Sequence, residues 1–141
     1  MRDGGLRQIF QKHMPSVHWQ AIESWETGIG IPDLNGCVDG VEFWIELKQA
    51  TANAVKISPG QIAWIERRVR AGGNVYIAVR CKAERGKRRL ARDELYLYSG
   101  NAVRLVYSDG IATPPLRKFV GGPSSWDWAE IRRILCRIPP S

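Results

Sequence analysis

Long apolar runs are missing from this chain. No stretch approaches the roughly 20 consecutive apolar residues that a membrane-spanning helix needs, which argues against a span. The start, Met1-Arg2-Asp3-Gly4-Gly5, lacks the apolar core of a secretory leader, so a cytoplasmic location is expected. Cysteine is scarce: Cys37, Cys81 and Cys136 lie far apart and outside any CxxC spacing. That excludes a disulfide framework and a zinc ribbon and leaves small buried hydrophobes in a reducing compartment. The two histidines, His13 and His18, have no partner at catalytic spacing. No GxSxG elbow, P-loop or dinucleotide fingerprint occurs, so neither a serine nucleophile nor a nucleotide energy source is implied. Acidic residues are outnumbered, 14 Asp+Glu against 21 Lys+Arg, for a formal net charge of +7. Such a balance favours a polyanionic partner.

The 141 residues suit one domain with one core, spanning 1–141. Leu6 to His13 reads as a short helix ended by Pro15. Val17 to Trp25, Ile31 to Val38 and Val41 to Lys48 read as strands. Asp39-Gly40 joins the last two as a two-residue hairpin turn, because both positions accept positive φ. Residues 50–57 form a loop. Ser58, Pro59 and Gln61 then form an N-cap, an N1 proline and a capping box, opening a helix that stops at Gly72-Gly73. Val75 to Val79, Leu95 to Tyr98 and Val103 to Tyr107 read as further strands. Residues 109–123, rich in proline and glycine, read as a loop. Ser124 or Ser125 caps a last helix over about 125–137. The order predicts an α/β sandwich with a mixed sheet.

The hairpin places three charged side chains together. Asp33 lies five residues before Val38, and Glu46 lies five after Val41. With Asp39 and Gly40 as the loop, the two carboxylates fall directly opposite, with Cβ atoms about 4.5–5.5 Å apart. Lys48 shares their face, two residues on. This holds if no bulge intervenes and the turn is not at Asn35-Gly36. Like charges directly opposite destabilise a sheet, and this strand reads as central, with Phe43, Ile45 and Leu47 apolar on one face and Trp44 on the other. A divalent cation resolves the conflict, and two carboxylates plus water suit Mg²⁺. Lys48 beside it can orient water or stabilise charge on a phosphoryl oxygen. The alternative is a structural Lys48–Glu46 ion pair on an exposed strand.

Ile31-Pro32-Asp33, twelve residues, then Glu46-Leu47-Lys48 resembles the PD-(D/E)XK nuclease motif. The flanking Gly28-Ile29-Gly30, Ile57-Ser58-Pro59-Gly60-Gln61, Trp64 and Ala71-Gly72-Gly73 are similar to the VRR-NUC and Holliday-junction-resolvase-like branch, which includes small phage-encoded nucleases. The resemblance covers about residues 17–82. It implies a restriction-endonuclease-like mixed β-sheet flanked by helices and a Mg²⁺-dependent endonuclease, with Mn²⁺ able to substitute. Asp33 and Glu46 would be metal ligands, with the main-chain carbonyl of Leu47 as another, and Lys48 would act on the attacking water. Gln61 matches a glutamine near the site in this branch, a role compatible with its capping box. Many members carry an upstream acidic residue on the first helix, but Leu6 to His13 has none. Glu23 is the favoured substitute, with Glu26 and, more remotely, Asp3 as the others. Each could equally be a solvated surface carboxylate.

A basic run over about 80–92 follows the strand at 75–79 and reads as a loop: Arg80, Lys82, Arg85, Lys87, Arg88, Arg89 and Arg92, against Glu84. Such a loop can hold DNA phosphates without reading sequence. Arg67, Arg68, Arg70, Arg132, Arg133 and Arg137 are ambiguous, since a helix exposes charge opposite its buried stripe. Among six tryptophans, Trp64 reads as core, and Trp25 either packs or stacks on a base by the cleft. The expected activity is cleavage of branched DNA, by a homodimer if two symmetric cuts are made. Other readings are a nicking or restriction-type nuclease, a non-catalytic DNA-binding protein, and a basic RNA-binding or assembly protein.

Overall fold

Asp39 and Gly40 adopt φ of 51° and 77°, and the turn they make organises the middle of the molecule. It joins β2 (Leu34–Val38) to β3 (Val41–Ala50) with Val38 opposite Val41 and Leu34 opposite Ile45. The expected turn and register are therefore the ones adopted. The computed structural model describes residues 3–23, 30–50, 52–88 and 90–138.

Before the hairpin come α1 (Leu6–His13) and β1 (His18–Ala21); after it come α2 (Pro59–Arg70), β4 (Val75–Ala83) and β5 (Arg92–Ser99). A 3-10 turn (Gly100–Ala102), α3 (Val103–Asp109), a second 3-10 turn (Gly110–Ala112), β6 (Arg117–Phe119) and α4 (Trp128–Leu135) complete the chain. Among the described residues, six strands lie in sequence order in one sheet. Of these, β3 and β4 run parallel, joined by the crossover helix α2, and the other neighbouring pairs are antiparallel. β3, with strands on both sides, is central as expected. Among the described residues no helix is long and apolar enough to cross a membrane.

Alternation along the strands divides the core in two. Phe43, Ile45 and Leu47 point to one face, where they pack with Leu6 and Phe10 of α1 and Ile131 and Leu135 of α4. Ile77, Val79, Tyr96 and Tyr98 point to the other, under Ile62 and Ile65 of α2 and Val103 and Val106 of α3. The result is an α/β sandwich whose mixed sheet carries helices on both faces.

Several expected boundaries move. Residues 103–107 form a helix, not a strand. Val103 and Val106 are buried while Leu105 and Tyr107 are more than half exposed, a spacing of three that suits a helix. β4 continues to Ala83 and β5 begins at Arg92, so the expected basic loop is shorter than 80–92. The stretch 109–123 contains a 3-10 turn and a short strand in place of a continuous loop. The last helix is capped by Asp127, whose side chain accepts from the Glu130 amide, and not by Ser124 or Ser125. β1 stops at Ala21, and Trp25 lies outside the described residues. β2 starts only at Leu34, because Pro32 has no N–H for a ladder bond.

Candidate active site

The site grows from the end of the β2–β3 ladder. One step beyond the last ladder pair, Leu34–Ile45, the chain carries Asp33 on one side and Glu46 on the other, close enough for the Asp33 charge to act on Glu46. Asp33 leaves the ladder and substitutes its side chain: Oδ2 accepts the Leu47 amide at 2.9 Å. Its carbonyl meanwhile accepts the Ile22 amide at 2.9 Å. The residue is thus clamped between β1 and β3.

Gly30 sets the approach to this clamp. It has φ of 78°, and a Cβ there would lie 2.4 Å from the Gly60 carbonyl carbon and oxygen. The chain leading to Asp33 therefore rests directly on the first turn of α2. The only sequence signal for this contact is an isolated pair of glycines, which nothing local connects.

That first turn supplies Gln61. Ser58 Oγ accepts the Gln61 amide at 3.1 Å, and Gln61 Oε1 accepts the Ser58 amide at 2.9 Å, closing the expected capping box. The same Oε1 accepts from Lys48 Nζ at 2.9 Å, and Nε2 donates to Glu46 Oε2 at 3.1 Å. One side chain caps the helix and braces the site. Lys48 Nζ is also 3.4 Å from Glu46 Oε2.

Glu46 is 2% exposed. Burial pushes its carboxyl up to about 8 from an ordinary 4.5; the Asp33 charge adds to this, and Lys48 opposes it. Glu46 Oε1 is buried with no hydrogen-bond donor. A proton on Glu46 removes the like-charge repulsion with Asp33. With both ionised, the pair needs a cation. The donor set fits Mg²⁺, which takes oxygen ligands and commonly uses only one or two carboxylates with several waters. Among the described residues no cluster of three His, Cys, Asp or Glu side chains could hold a metal.

The expected upstream carboxylate is not brought to this pair. Glu23 is exposed and its Oε1 accepts from Arg7 Nη1 of α1 at 2.9 Å. Asp3 caps the turn before α1, accepting the Gly5 amide. Glu26 lies outside the described residues. Leu47 contributes its amide to Asp33 and its side chain to the α1-side core.

Trp64 is half-buried and packs against the α2-side core, at its edge and not in its interior. It packs on Trp44, the residue two before Glu46, with ring centroids 5.2 Å apart, and Arg68 lies 4.6 Å over it.

The basic residues separate by their partners. Arg80 is buried in β4: Nε and Nη2 donate to the two Asp93 oxygens at 2.8 and 2.7 Å, and Nη1 donates to the Gly4 carbonyl. Arg92 is held by Glu94 and the Tyr96 hydroxyl. Both therefore leave the set of free phosphate contacts. Lys82, Arg85, Lys87 and Arg88 are exposed at the sheet end toward which β3 runs past Lys48, and none of their side chains has a hydrogen bond or ion pair with a described residue. Arg89 lies outside the described residues. Of the ambiguous arginines, Arg132 binds Asp39, Arg133 binds Glu130, and Arg137 donates to the Gly73 carbonyl. No protein-family model matches the chain, and no curated protein matches it.

Proposed function

We propose that this protein is a divalent-metal-dependent endonuclease that hydrolyses phosphodiester bonds in DNA. The observation that carries this reading is the buried Asp33–Glu46 carboxyl pair, with Glu46 Oε1 undonated and Lys48 beside it. Placing like charges together in a central strand costs stability. A cation-binding role accounts for that cost, whereas a purely structural Lys48–Glu46 pair leaves the buried Glu46 Oε1 without a partner. The mixed sheet flanked by helices is compatible with the PD-(D/E)XK resemblance and supports the same reading.

Asp33 and Glu46 would hold the metal, with the Leu47 carbonyl added by the resemblance. Bound there, Mg²⁺ or Mn²⁺ would neutralise charge developing on the phosphoryl oxygens and make water a better nucleophile. The Leu47 amide fixes one Asp33 oxygen, so that carboxylate is already oriented. Gln61 holds Glu46 Oε2 and Lys48 Nζ together and is itself locked by its cap. Lys48 has three N–H bonds, of which Gln61 takes one, while Glu46 Oε2 lies 3.4 Å away as an ion-pair partner. A remaining N–H can donate to the attacking water or to a phosphoryl oxygen. Water adds to phosphorus in line while the P–O bond to the leaving oxygen breaks and that oxygen takes up a proton. The resemblance implies 5′-phosphate and 3′-hydroxyl ends. It also makes branched DNA the proposed substrate, and two symmetric cuts would call for a homodimer.

The test is Asp33→Asn beside the unaltered protein, with a DNA duplex in Mg²⁺, Mn²⁺ or EDTA. The reading expects metal-dependent cleavage that Asp33→Asn abolishes while DNA binding in EDTA persists. Binding without cleavage by both proteins would replace it with a non-catalytic DNA-binding module.

A further inference from the structure

A second basic surface lies along α2, where it faces α3. A groove of ≈ 440 Å³ runs between α2 and α3. It is lined by Pro59, Ile62, Ala63, Arg67 and Arg70 of α2 and Tyr107 of α3. Pro59 is the first residue of α2, within two residues of Gln61, so the groove starts at the turn that braces Glu46 and Lys48. Arg67 and Arg70 stand six and nine residues past Gln61, or roughly 9 and 14 Å along the helix axis.

The cations lining this groove differ from those elsewhere. Arg104 crosses the groove wall to Glu66, with Nε and Nη2 on the two carboxylate oxygens at 2.7 and 3.0 Å, and so neutralises the one acid there. The Arg67 and Arg70 side chains are exposed and make no hydrogen bond or ion pair with a described residue, although the Arg70 charge acts on Glu66 at longer range. On the other side of the molecule, Arg117, Arg132 and Arg133 are each bound to a carboxylate. Among the described residues, the α2 side of this groove and the stretch Lys82 to Arg88 are two places where several cations without a carboxylate ion pair lie close together in the chain. Tyr107, 56% exposed on α3, adds an aromatic edge to the groove. An aromatic beside unpaired arginines suits a nucleic-acid strand better than a small anion, because phosphate and base or sugar are contacted together.

We propose that the α2–α3 groove binds the phosphodiester backbone of the DNA that reaches the carboxylate site, with Arg67 and Arg70 as its phosphate contacts. This rests on the nuclease reading for its choice of DNA as ligand. It moves part of the DNA footprint from the β4–β5 loop to α2. It also removes Arg80 and Arg92 from that footprint.

The experiment measures binding of a labelled 30-base-pair duplex in EDTA over a series of salt concentrations. It compares unaltered protein with Arg67→Gln/Arg70→Gln, Arg67→Lys/Arg70→Lys and Arg117→Gln. Each lost phosphate contact should reduce the slope of log affinity against log salt by about 0.9. The glutamine pair should therefore lower the slope by about 1.8 and weaken binding roughly tenfold at low salt. The lysine pair and Arg117→Gln should keep the original slope, and the retained binding of the lysine pair shows that the surface tolerates substitution. An unchanged slope in the glutamine pair overturns the proposal. Mg²⁺-dependent cleavage by the same samples is read separately. Cleavage with an unchanged slope sinks the groove and leaves the nuclease reading standing. A lowered slope without cleavage by unaltered protein does the reverse.

Discussion

Glu46 is the residue on which chemistry and stability meet. Between about pH 4.5 and 8 an unfolded chain gives up this proton while the metal-free folded protein keeps it. The unfolded state then binds fewer protons, so stability falls as pH rises through that window and levels off above it. Glu46→Gln removes the ionisation. In EDTA the variant should melt higher than the unaltered protein at pH 8, by on the order of a few kcal/mol, with the gain shrinking toward pH 4.5. Thermal melts across this range check it; an equal offset at all pH values would mean that Glu46 titrates normally. Ligand binding to the folded state raises the melting temperature by mass action. Mg²⁺ or Mn²⁺ should accordingly stabilise the unaltered protein and not Glu46→Gln. Gln61→Ala is expected to cost about 1 kcal/mol through the lost cap, and to slow cleavage by more than that loss of folded protein explains.

At the scale of elements, the site depends on two clamps. Gly30 lets the Asp33 segment lie on α2, and any side chain there meets the Gly60 backbone. Gly30→Ala should therefore lower metal affinity by tenfold or more, with Asp33 displaced while Glu46 and Lys48 stay in β3. Calorimetric titration with Mn²⁺ reads this, and unchanged affinity would show that the segment is not held by the contact. The second clamp is Arg80–Asp93, which ties β4 to β5 and, through Gly4, to the start of α1. Asp93→Asn should destabilise by roughly 3 kcal/mol, because it strands a buried guanidinium, and should leave the salt slope of DNA binding unchanged. Both clamps were hidden in the sequence because they join distant segments. The features legible there are local in origin. Asp39-Gly40 sets a register, alternation then places Asp33, Glu46 and Lys48, and Ser58-Pro59-Gly60-Gln61 declares a helix start. Val103 to Tyr107 misled because a short stretch with four apolar residues out of five suits a strand or a helix; burial of Val103 and Val106 against the sheet decides for the helix.

At the scale of the whole molecule, net charge of +7 is a poor guide to where a polyanion would sit. Arg80, Arg92, Arg104, Arg117, Arg132 and Arg133 are all committed to carboxylates. What composition cannot reveal is which cations fold against an acid, since that depends on register and helix packing. Glu23 illustrates the same limit: its nearness to Asp33 in sequence suggested a third ligand, and α1 brings Arg7 to it instead. The account comes down to a metal-dependent cut. The most direct measurement is incubation of the protein with a four-way DNA junction and a matched linear duplex, in Mg²⁺ or EDTA, beside Glu46→Gln. The account predicts Mg²⁺-dependent cutting of the junction, lost in EDTA and in the variant; cutting of both substrates would keep the nuclease and discard the preference for branches. No cutting of either substrate by folded protein, in Mg²⁺ or in Mn²⁺, would contradict it.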